Sequence, residues 1–228
     1  MCGRFHVDGD DEDLQEILNE INRRLIEKFG EKASDIGEAR AGEMYPTNIA
    51  PVLISQHGKV TPVAMRWGFL AVQQGSFMVP YAGEPDIKPK PIINAKRETA
   101  YDPSGRRSPS LMIQCFRESL QKRRVVVPTS GFYEWTHEGK KAVDKYHFTQ
   151  PGPSKLYLAG LYDVFVYKGI KFPHFTILTT APNNSIKEFH DRMPVLLHQW
   201  ESEAWLRGEN VADVLTRVPF SLQAVAAA

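Results

Sequence analysis

Apolar residues near the N-terminus predict one long amphipathic helix. Between Asp11 and Gly30 they recur at steps of three and four, which places them on one face of a helix. The residues of this face are Leu14, Ile17, Leu18, Ile21, Leu25, Ile26 and Phe29. Asp10 or Asp11 is the expected N-cap, and Gly30 is the expected end. A second helix with one apolar side is predicted from its cap at Ser110 to Arg123, and shorter ones over 199–207 and 211–215.

The other apolar segments are short and predict strands. These segments cover residues 52–55, 60–67, 124–127, 146–149, 156–167 and 172–180. The first two flank His57-Gly58-Lys59, which predicts a hairpin. A helical turn is expected over 182–189.

Two stretches of the chain are predicted to be irregular. Residues 73–91 contain several prolines, and a structureless segment of this length is usually functional or mobile. Residues 102–109 form a predicted loop, whose Arg106 and Arg107 we interpret as solvated. Since strands and helices do not alternate as βα units, we expect one α+β domain over residues 1–228. Its sheet is predicted to be mainly antiparallel and barrel-like, with peripheral helices.

Composition narrows the class of protein. The chain has 228 residues, 42% hydrophobic and 24% charged, which suffices for a sizeable core. Lys and Arg number 28 against 27 Asp and Glu, which excludes polybasic and acidic disordered proteins but permits a local DNA-binding patch. No apolar run reaches the length of a membrane span, and the N-terminus lacks a signal peptide. We therefore expect no membrane partner and a cytoplasmic location, or a nuclear one in a eukaryote. Two distant cysteines, Cys2 and Cys115, suggest neither a disulfide framework nor a zinc site, so no metal or cofactor is expected.

Cys2 carries the most distinctive chemistry. Methionine aminopeptidase removes Met1 when a small residue follows, and the new N-terminus would hold both a thiol and an α-amine. Such a group condenses with an aldehyde to a Schiff base, which the thiol closes to a thiazolidine. An N-terminal cysteine also serves as a hydrolase nucleophile, with its own amine as base. A cysteine at position 2 does not by itself distinguish between these two activities, and it is also compatible with having no function.

Four other segments supply acid–base and aromatic residues. They read Trp67-Gly68-Phe69, Ile92-Ile93-Asn94-Ala95-Lys96-Arg97-Glu98-Thr99-Ala100, Phe132-Tyr133-Glu134-Trp135 and His190-Asp191-Arg192-Met193-Pro194. Each has a purely structural interpretation, such as a turn asparagine or a surface ion pair. Asn, Glu and His beside a nucleophile are nevertheless the residue types that an acid–base site requires.

These segments, in this order after Met-Cys-Gly-Arg-Phe, resemble the SRAP family (SOS response-associated peptidases). The resemblance runs from residue 1 to about residue 200. It implies a compact α+β fold around a β-barrel-like core. It further implies a DNA-damage protein, expected as a monomer, that binds abasic sites in single-stranded DNA and at junctions with duplex. Such a protein crosslinks to the site through its N-terminal cysteine as a thiazolidine, shields the lesion and removes its own Met1, which combines lyase-like and peptidase-like activities.

The resemblance also implies catalytic roles. Cys2 is the crosslinking nucleophile, and Asn94 holds its α-amine. Glu134 is the general acid–base near the amine and the sugar ring oxygen, and His190 exchanges a proton with the deoxyribose oxygen. A closed hemiacetal needs such a shuttle to expose its aldehyde. Flanking aromatic residues are expected to raise the pKa of Glu134 by desolvation.

DNA contacts follow from the same resemblance. Arg4, Lys96 and Arg192 match phosphate-binding positions, and each lies within two residues of a catalytic position. Asn48 matches an N-x-A-P segment near the active centre. Trp67 is expected to stack on a base or to support the cleft, although a core aromatic fits the pattern equally well.

Some features depart from the family pattern, and other functions remain open. Lys96 stands where arginine is common, so it would contact phosphate as a point charge. Leu70-Ala71-Val72-Gln73 follows the W-G segment, where many members have a proline and a tryptophan. One alternative is an N-terminal-cysteine amidohydrolase or thiol peptidase that uses Cys2, His190 and Asn94. Another is a noncatalytic reader of modified bases.

Overall fold

The computed structural model describes residues 2–84, 86–106, 108, 110–139, 141–152 and 155–227, without the side chain of Asp13. Met1 and Arg107, which two of the predictions concern, lie outside these residues. These described residues form six α-helices: α1 Glu12–Phe29, α2 Ala33–Ile36, α3 Arg97–Ala100, α4 Leu111–Lys122, α5 Ser202–Arg207 and α6 Val211–Thr216. Single 3₁₀ turns cover Gly30–Lys32 and Gln199–Glu201. Within the described residues, no helix is long and apolar enough to cross a membrane.

The described residues also form sixteen strands. They are β1 Arg4–Val7, β2 Gly42–Met44, β3 Ile49–Gln56, β4 Lys59–Trp67, β5 Phe69–Gln74, β6 Phe77–Pro80, β7 Lys90–Ile92, β8 Asn94–Lys96, β9 Arg124–Thr129, β10 Gly131–Glu138, β11 Lys141–Thr149, β12 Leu156–Tyr167, β13 Ile170–Thr180, β14 Met193–Pro194, β15 Leu196–Leu197 and β16 Gln223–Ala227.

A closed five-stranded barrel forms the centre of the molecule. Its strands follow the order β13-β4-β3-β9-β12, and the pairing of β12 with β13 closes the ring. Every neighbouring pair is antiparallel except β13 with β4. The expected α+β fold with a mainly antiparallel barrel is therefore confirmed.

Barrel strands are buried on both faces, which explains their continuous apolar sequences. Side chains alternate between the faces of a strand. Val125 and Val127 accordingly join one buried cluster with Phe175, whereas Val126 joins a second cluster with Leu178. The second cluster also contains apolar residues of α4, α5 and α6, so these helices cover the outside of the barrel.

A second sheet positions the residues that carry chemistry. Its order is β16-β11-β10-β1-β2, so β1 and β10 are neighbours. Phe5 and Phe132 lie opposite each other and are buried in the first cluster. By alternation, Arg4 and Tyr133 lie on the opposite face of this sheet. β1 begins two residues after Cys2, and β10 contains Glu134.

The predicted long elements are found, but the proline-rich segment is more ordered than predicted. Asp11 caps α1 by accepting the N–H of Leu14 at 3.0 Å, and Gly30 ends it with φ +56°. The hairpin of β3 and β4 turns at the two residues between them. The prediction of an irregular 73–91 is wrong in part, because β6 and β7 flank β5 in a three-stranded sheet. Both proline-bearing strands lie at the edges of this sheet, where a missing N–H is tolerated.

Candidate functional site

Cys2 lies buried just before β1. Its side chain is fully inaccessible, and Sγ donates to the backbone oxygen of Arg4 at 3.6 Å. Burial raises the pKa of the Cys2 thiol far above its usual value, and the nearby charge of Glu134 raises it further. The thiol is therefore neutral at neutral pH, and it is not an activated thiolate.

Asn94 binds the backbone of Cys2 directly. It begins β8, which pairs with the C-terminal part of β13 through Asn94 and Ile177. The side-chain Nδ2 donates to the carbonyl oxygen of Cys2 at 2.8 Å. The Oδ1 atom is buried, and no hydrogen-bond partner for it is found in the described part of the chain. This acceptor can take a hydrogen bond from a further donor.

Glu134 is a buried carboxyl group with a neutral-range pKa. Only 3% of its surface is exposed, and burial raises its pKa to about 7. The charge of Asp191 raises the pKa as well. The direction agrees with the prediction of a pKa raised by desolvation, but the predicted source is wrong, because strand alternation places Tyr133 and Trp135 on the face opposite Glu134. A carboxyl that titrates near neutral pH can both donate and accept a proton during a reaction.

His190 follows a compact turn after β13. The turn is closed by hydrogen bonds from Lys187 N–H to Asn183 O and from His190 N–H to Ile186 O, both 3.0 Å long. Burial lowers the pKa of the imidazole. Nδ1 accepts the N–H of Arg192 at 3.0 Å and lies 2.7 Å from Oδ1 of Asp191.

The two contacts of this ring require opposite states of Nδ1. Accepting the N–H of Arg192 needs an unprotonated Nδ1, whereas donating to Asp191 needs a protonated one. The lowered pKa favours the neutral imidazole at neutral pH, and its single ring proton lets Nδ1 satisfy only one of these two contacts at a time.

Arg4 is a fixed, partly exposed cation close to Cys2. Its Nη1 donates to Oε1 of Glu43 at 2.8 Å, and Glu43 also binds Lys145 at 3.1 Å. The guanidinium lies 4.1 Å from the ring centre of Tyr45 and 5.3 Å from that of Trp135. Cation–π contacts of this kind orient the guanidinium plane.

Lys96 and Arg192 meet at the end of β13. Lys96 is exposed and lies opposite Thr179 in the pairing of β8 with β13. Arg192 donates to the backbone oxygen of Thr179 at 2.6 Å and to both carboxylate oxygens of Glu98 at 3.1 and 2.8 Å. Two cations from separate segments therefore flank one residue of the barrel.

Trp67 does not face solvent, which favours support of the cleft over base stacking among its predicted roles. Its side chain is 0% exposed, Nε1 donates to Ile93 O at 3.0 Å, and the ring packs against Phe5 and Phe175. No face of the indole is open to a base, so Trp67 supports the core beneath the site. The amide oxygen of Asn48, another predicted DNA contact, accepts the N–H of Tyr45 at 2.9 Å.

The structure thus brings Cys2, Asn94 and Glu134 together, with Asp191 of the His190 segment within electrostatic reach of Glu134. Sequence analysis missed Glu43 and Glu98, the carboxylates that hold two of the predicted phosphate-binding arginines. Glu98 stands inside the quoted Asn94 segment. Nothing in the sequence around Glu43 indicated its role, because its partners come from other strands.

Comparison with known proteins supports a family assignment. A family model described as SOS response associated peptidase (SRAP) matches residues 1–226. Abasic site processing protein YoqW of Bacillus subtilis is 29% identical over 217 residues, covering 92% of this chain and 82% of its own. Abasic site processing protein YedK of Escherichia coli is 28% identical over 216 residues, covering 92% and 81%.

Solved structures share the fold at low identity. A crystal structure of a Bordetella bronchiseptica protein has a TM-score of 0.66 with 20% identity and covers all of both chains. One of a Bacteroides thetaiotaomicron protein has a TM-score of 0.65 with 21% identity and covers 99% of this chain and 91% of its own. Together with the family match over nearly the whole sequence, the barrel and its N-terminal cysteine segment place this chain in the SRAP family.

Proposed function

We propose that this protein binds abasic sites in single-stranded DNA and at junctions with duplex, and captures the deoxyribose aldehyde covalently through Cys2. The names of YoqW and YedK as abasic site processing proteins support the abasic site as the lesion that is bound. The observation that carries the chemistry is the contact of Asn94 with the backbone of Cys2, beside the buried Glu134.

Capture requires a free α-amine, so water must first hydrolyse the Met1–Cys2 peptide bond and release methionine, and we include this self-removal in the proposal. The amine then attacks the aldehyde carbon, and loss of water gives a Schiff base. The thiol sulfur adds to the same carbon, and the thiol proton passes to the nitrogen. The product is a thiazolidine, and neither oxidant nor reductant is consumed.

The site residues have separate roles in this sequence. The unused Oδ1 of Asn94 accepts a hydrogen bond from the α-ammonium group. Glu134, with a pKa of about 7, takes a proton from that group and returns one to the departing hydroxyl. His190 exchanges a proton with the sugar oxygen as the hemiacetal opens. Arg4, Lys96 and Arg192 bind the phosphates on either side.

A thiol hydrolase is the second candidate, and the thiol environment argues against it. An N-terminal-cysteine amidohydrolase needs a thiol that readily gives its proton to the α-amine before the sulfur attacks. Burial instead raises the pKa of Cys2, which suits a thiol that adds only after the amine has formed the Schiff base. Peptidase activity in this proposal is limited to the protein's own Met1.

One incubation tests the proposal. Mature protein, with loss of Met1 verified by intact mass, is mixed with single-stranded DNA that holds one abasic site, and the mixture is denatured. We expect a covalent band that Cys2→Ala abolishes and that Cys115→Ala, the matched cysteine control, leaves intact. Turnover of an amide substrate without a DNA adduct would favour the hydrolase. Binding without any adduct would favour a noncatalytic reader.

A further inference from the structure

Burial of Trp67 leaves the site without an assigned aromatic contact for bases. Three aromatic side chains among the described residues are strongly exposed: Tyr45 at 42%, Phe77 at 50% and Trp200 at 78%. Tyr45 differs from the other two because its ring lies on Arg4, a residue of the site. Single-stranded nucleic acid is bound where cations and exposed aromatic rings occur together.

We propose that Tyr45 stacks on the nucleobase next to the abasic nucleotide and thereby selects single-stranded DNA with a base at that position. This inference rests on the proposed function, because it places the abasic sugar at Cys2. Cys2 precedes Arg4 by two residues, at most about 7 Å of extended chain. A sugar that reaches Cys2 therefore has its neighbouring nucleotide at Arg4 and Tyr45.

Arg4 occupies one face of the Tyr45 ring and leaves exposed surface for a base. The guanidinium lies 4.1 Å from the ring centre and is anchored by Glu43, which Lys145 holds in turn. With one face supported in this way, the ring is already oriented before DNA binds. A base that stacks on the exposed part extends the column of Arg4 and Tyr45, while other guanidinium N–H groups can bind phosphate.

The backbone of Tyr45 is fixed by a strained turn. Residues Tyr45-Pro46-Thr47-Asn48 close with a hydrogen bond from Asn48 N–H to Tyr45 O at 3.0 Å, and Asn48 Oδ1 accepts the N–H of Tyr45 at 2.9 Å. Thr47 has φ +75°, which is costly for a β-branched residue. Such strain persists only where the surroundings impose it, and it is concentrated at functional sites.

The end of β4 imposes this conformation. Thr47 N–H donates to Trp67 O at 2.8 Å, and Trp67 N–H donates to Asn48 O at 2.9 Å. Two residues that the sequence assigned to DNA contact therefore position Tyr45. Asn48 closes the turn, and the buried Trp67 anchors it.

The test uses the tetrahydrofuran abasic analogue, which has no aldehyde and measures binding without crosslinking. One single-stranded oligonucleotide carries a single analogue flanked by adenines, and a second carries analogues at both flanking positions as well. We expect Tyr45→Ala to weaken binding of the first roughly 5- to 150-fold, the effect of one lost base stack. Binding of the second should change little, and Tyr45→Phe should retain wild-type affinity for both.

Phe77→Ala removes a similarly exposed ring from β6 and is the matched control, with wild-type affinity expected for both ligands. Equal affinity of wild type and Tyr45→Ala for the adenine-flanked ligand would overturn the inference. An equal loss of affinity for both ligands would also overturn the inference, because it would indicate that Tyr45 acts only through Arg4. Crosslinking of wild type to natural abasic DNA reports separately on Cys2 capture, so the two failures are distinguishable.

Discussion

Arg192 is held by Glu98 through two hydrogen bonds, from Nη1 at 3.1 Å and from Nη2 at 2.8 Å. A phosphate that binds Arg192 must share or displace this carboxylate. Half of the Glu98 side chain is exposed but only 13% of the Arg192 side chain is, so solvent screens this pair from the side of the carboxylate. Glu43 likewise holds Arg4, through one hydrogen bond from Nη1 at 2.8 Å.

Glu98→Gln is expected to strengthen DNA binding. The substitution removes the competing charge and keeps the shape of the side chain. An exposed ion pair contributes about 0.2–1 kcal/mol, so affinity for abasic single-stranded DNA should rise roughly 1.4- to 5-fold. Fluorescence anisotropy measures it. Glu203→Gln, which removes one carboxylate from a more exposed arginine, Arg207 of α5, is the control for loss of a surface charge. Weaker binding in Glu98→Gln would mean that Glu98 positions Arg192 and does not compete for it.

The three cations should determine the salt dependence of DNA binding. Removing Arg4, Lys96 or Arg192 is expected to reduce the slope of log affinity against log salt by roughly 0.7, the value for one phosphate on a single strand. Titrations at several salt concentrations measure the slope. Lys187→Ala removes an exposed lysine from the turn before His190 and shows whether loss of any cation reduces the slope. An unchanged slope for all three variants would place the DNA elsewhere.

Trp67→Ala should destabilise the fold. The indole is fully buried, and loss of such a side chain typically costs about 3–5 kcal/mol of unfolding free energy. Trp200→Ala, with 78% of its side chain exposed, should change stability by about 0.5 kcal/mol or less. Urea denaturation compares the two. A small effect of Trp67→Ala would contradict its place in the core.

Local sequence patterns predicted the helices and strands that are specified by residues close together in the chain. The periodicity of α1 and the apolar run of β12 need no information from elsewhere in the chain. β1 and β8 are short, and they exist because they pair with β10 and β13, which are distant in sequence. Trp67 is ambiguous for the same reason, because its burial depends on Phe175. The motifs gave the catalytic residue types, whereas the pairing of their arginines with Glu43 and Glu98 arises only on folding.

Glu134 should make the protein less stable as pH rises towards neutrality. Its folded pKa of about 7 exceeds its reference value of 4.5, so the folded state holds the proton more tightly than the unfolded state. The stabilisation is complete below about pH 4.5 and is lost as pH rises through about 7. The unfolding free energy of wild type should therefore fall by about 3 kcal/mol relative to that of Glu134→Gln, which does not titrate, over this window. Denaturation of both proteins at several pH values measures it. A constant difference would show that Glu134 has an ordinary pKa.

Substitutions of Glu134 and His190 are expected to impair different steps of crosslinking. Glu134→Gln keeps the shape of the side chain but cannot shuttle a proton, so Schiff-base formation should slow by roughly 10²–10⁴. His190 is proposed to act on the sugar oxygen, which must open for capture and close again for release. His190→Ala should therefore slow both formation and release of the crosslink and leave the final yield high.

Single-turnover formation and competitor-chase release separate these two roles, with the thermal midpoint measured beside them. If both residues only maintain the fold, both variants will melt earlier and lose crosslinking in proportion to the unfolded fraction. Asp191→Asn supplies a further comparison, because Asp191 contacts Nδ1 of His190 and its charge raises the pKa of Glu134. Removing that charge should lower the pKa of Glu134 and shift the pH dependence of crosslink formation to lower pH. Normal rates in well-folded Glu134→Gln and His190→Ala would remove both residues from the mechanism.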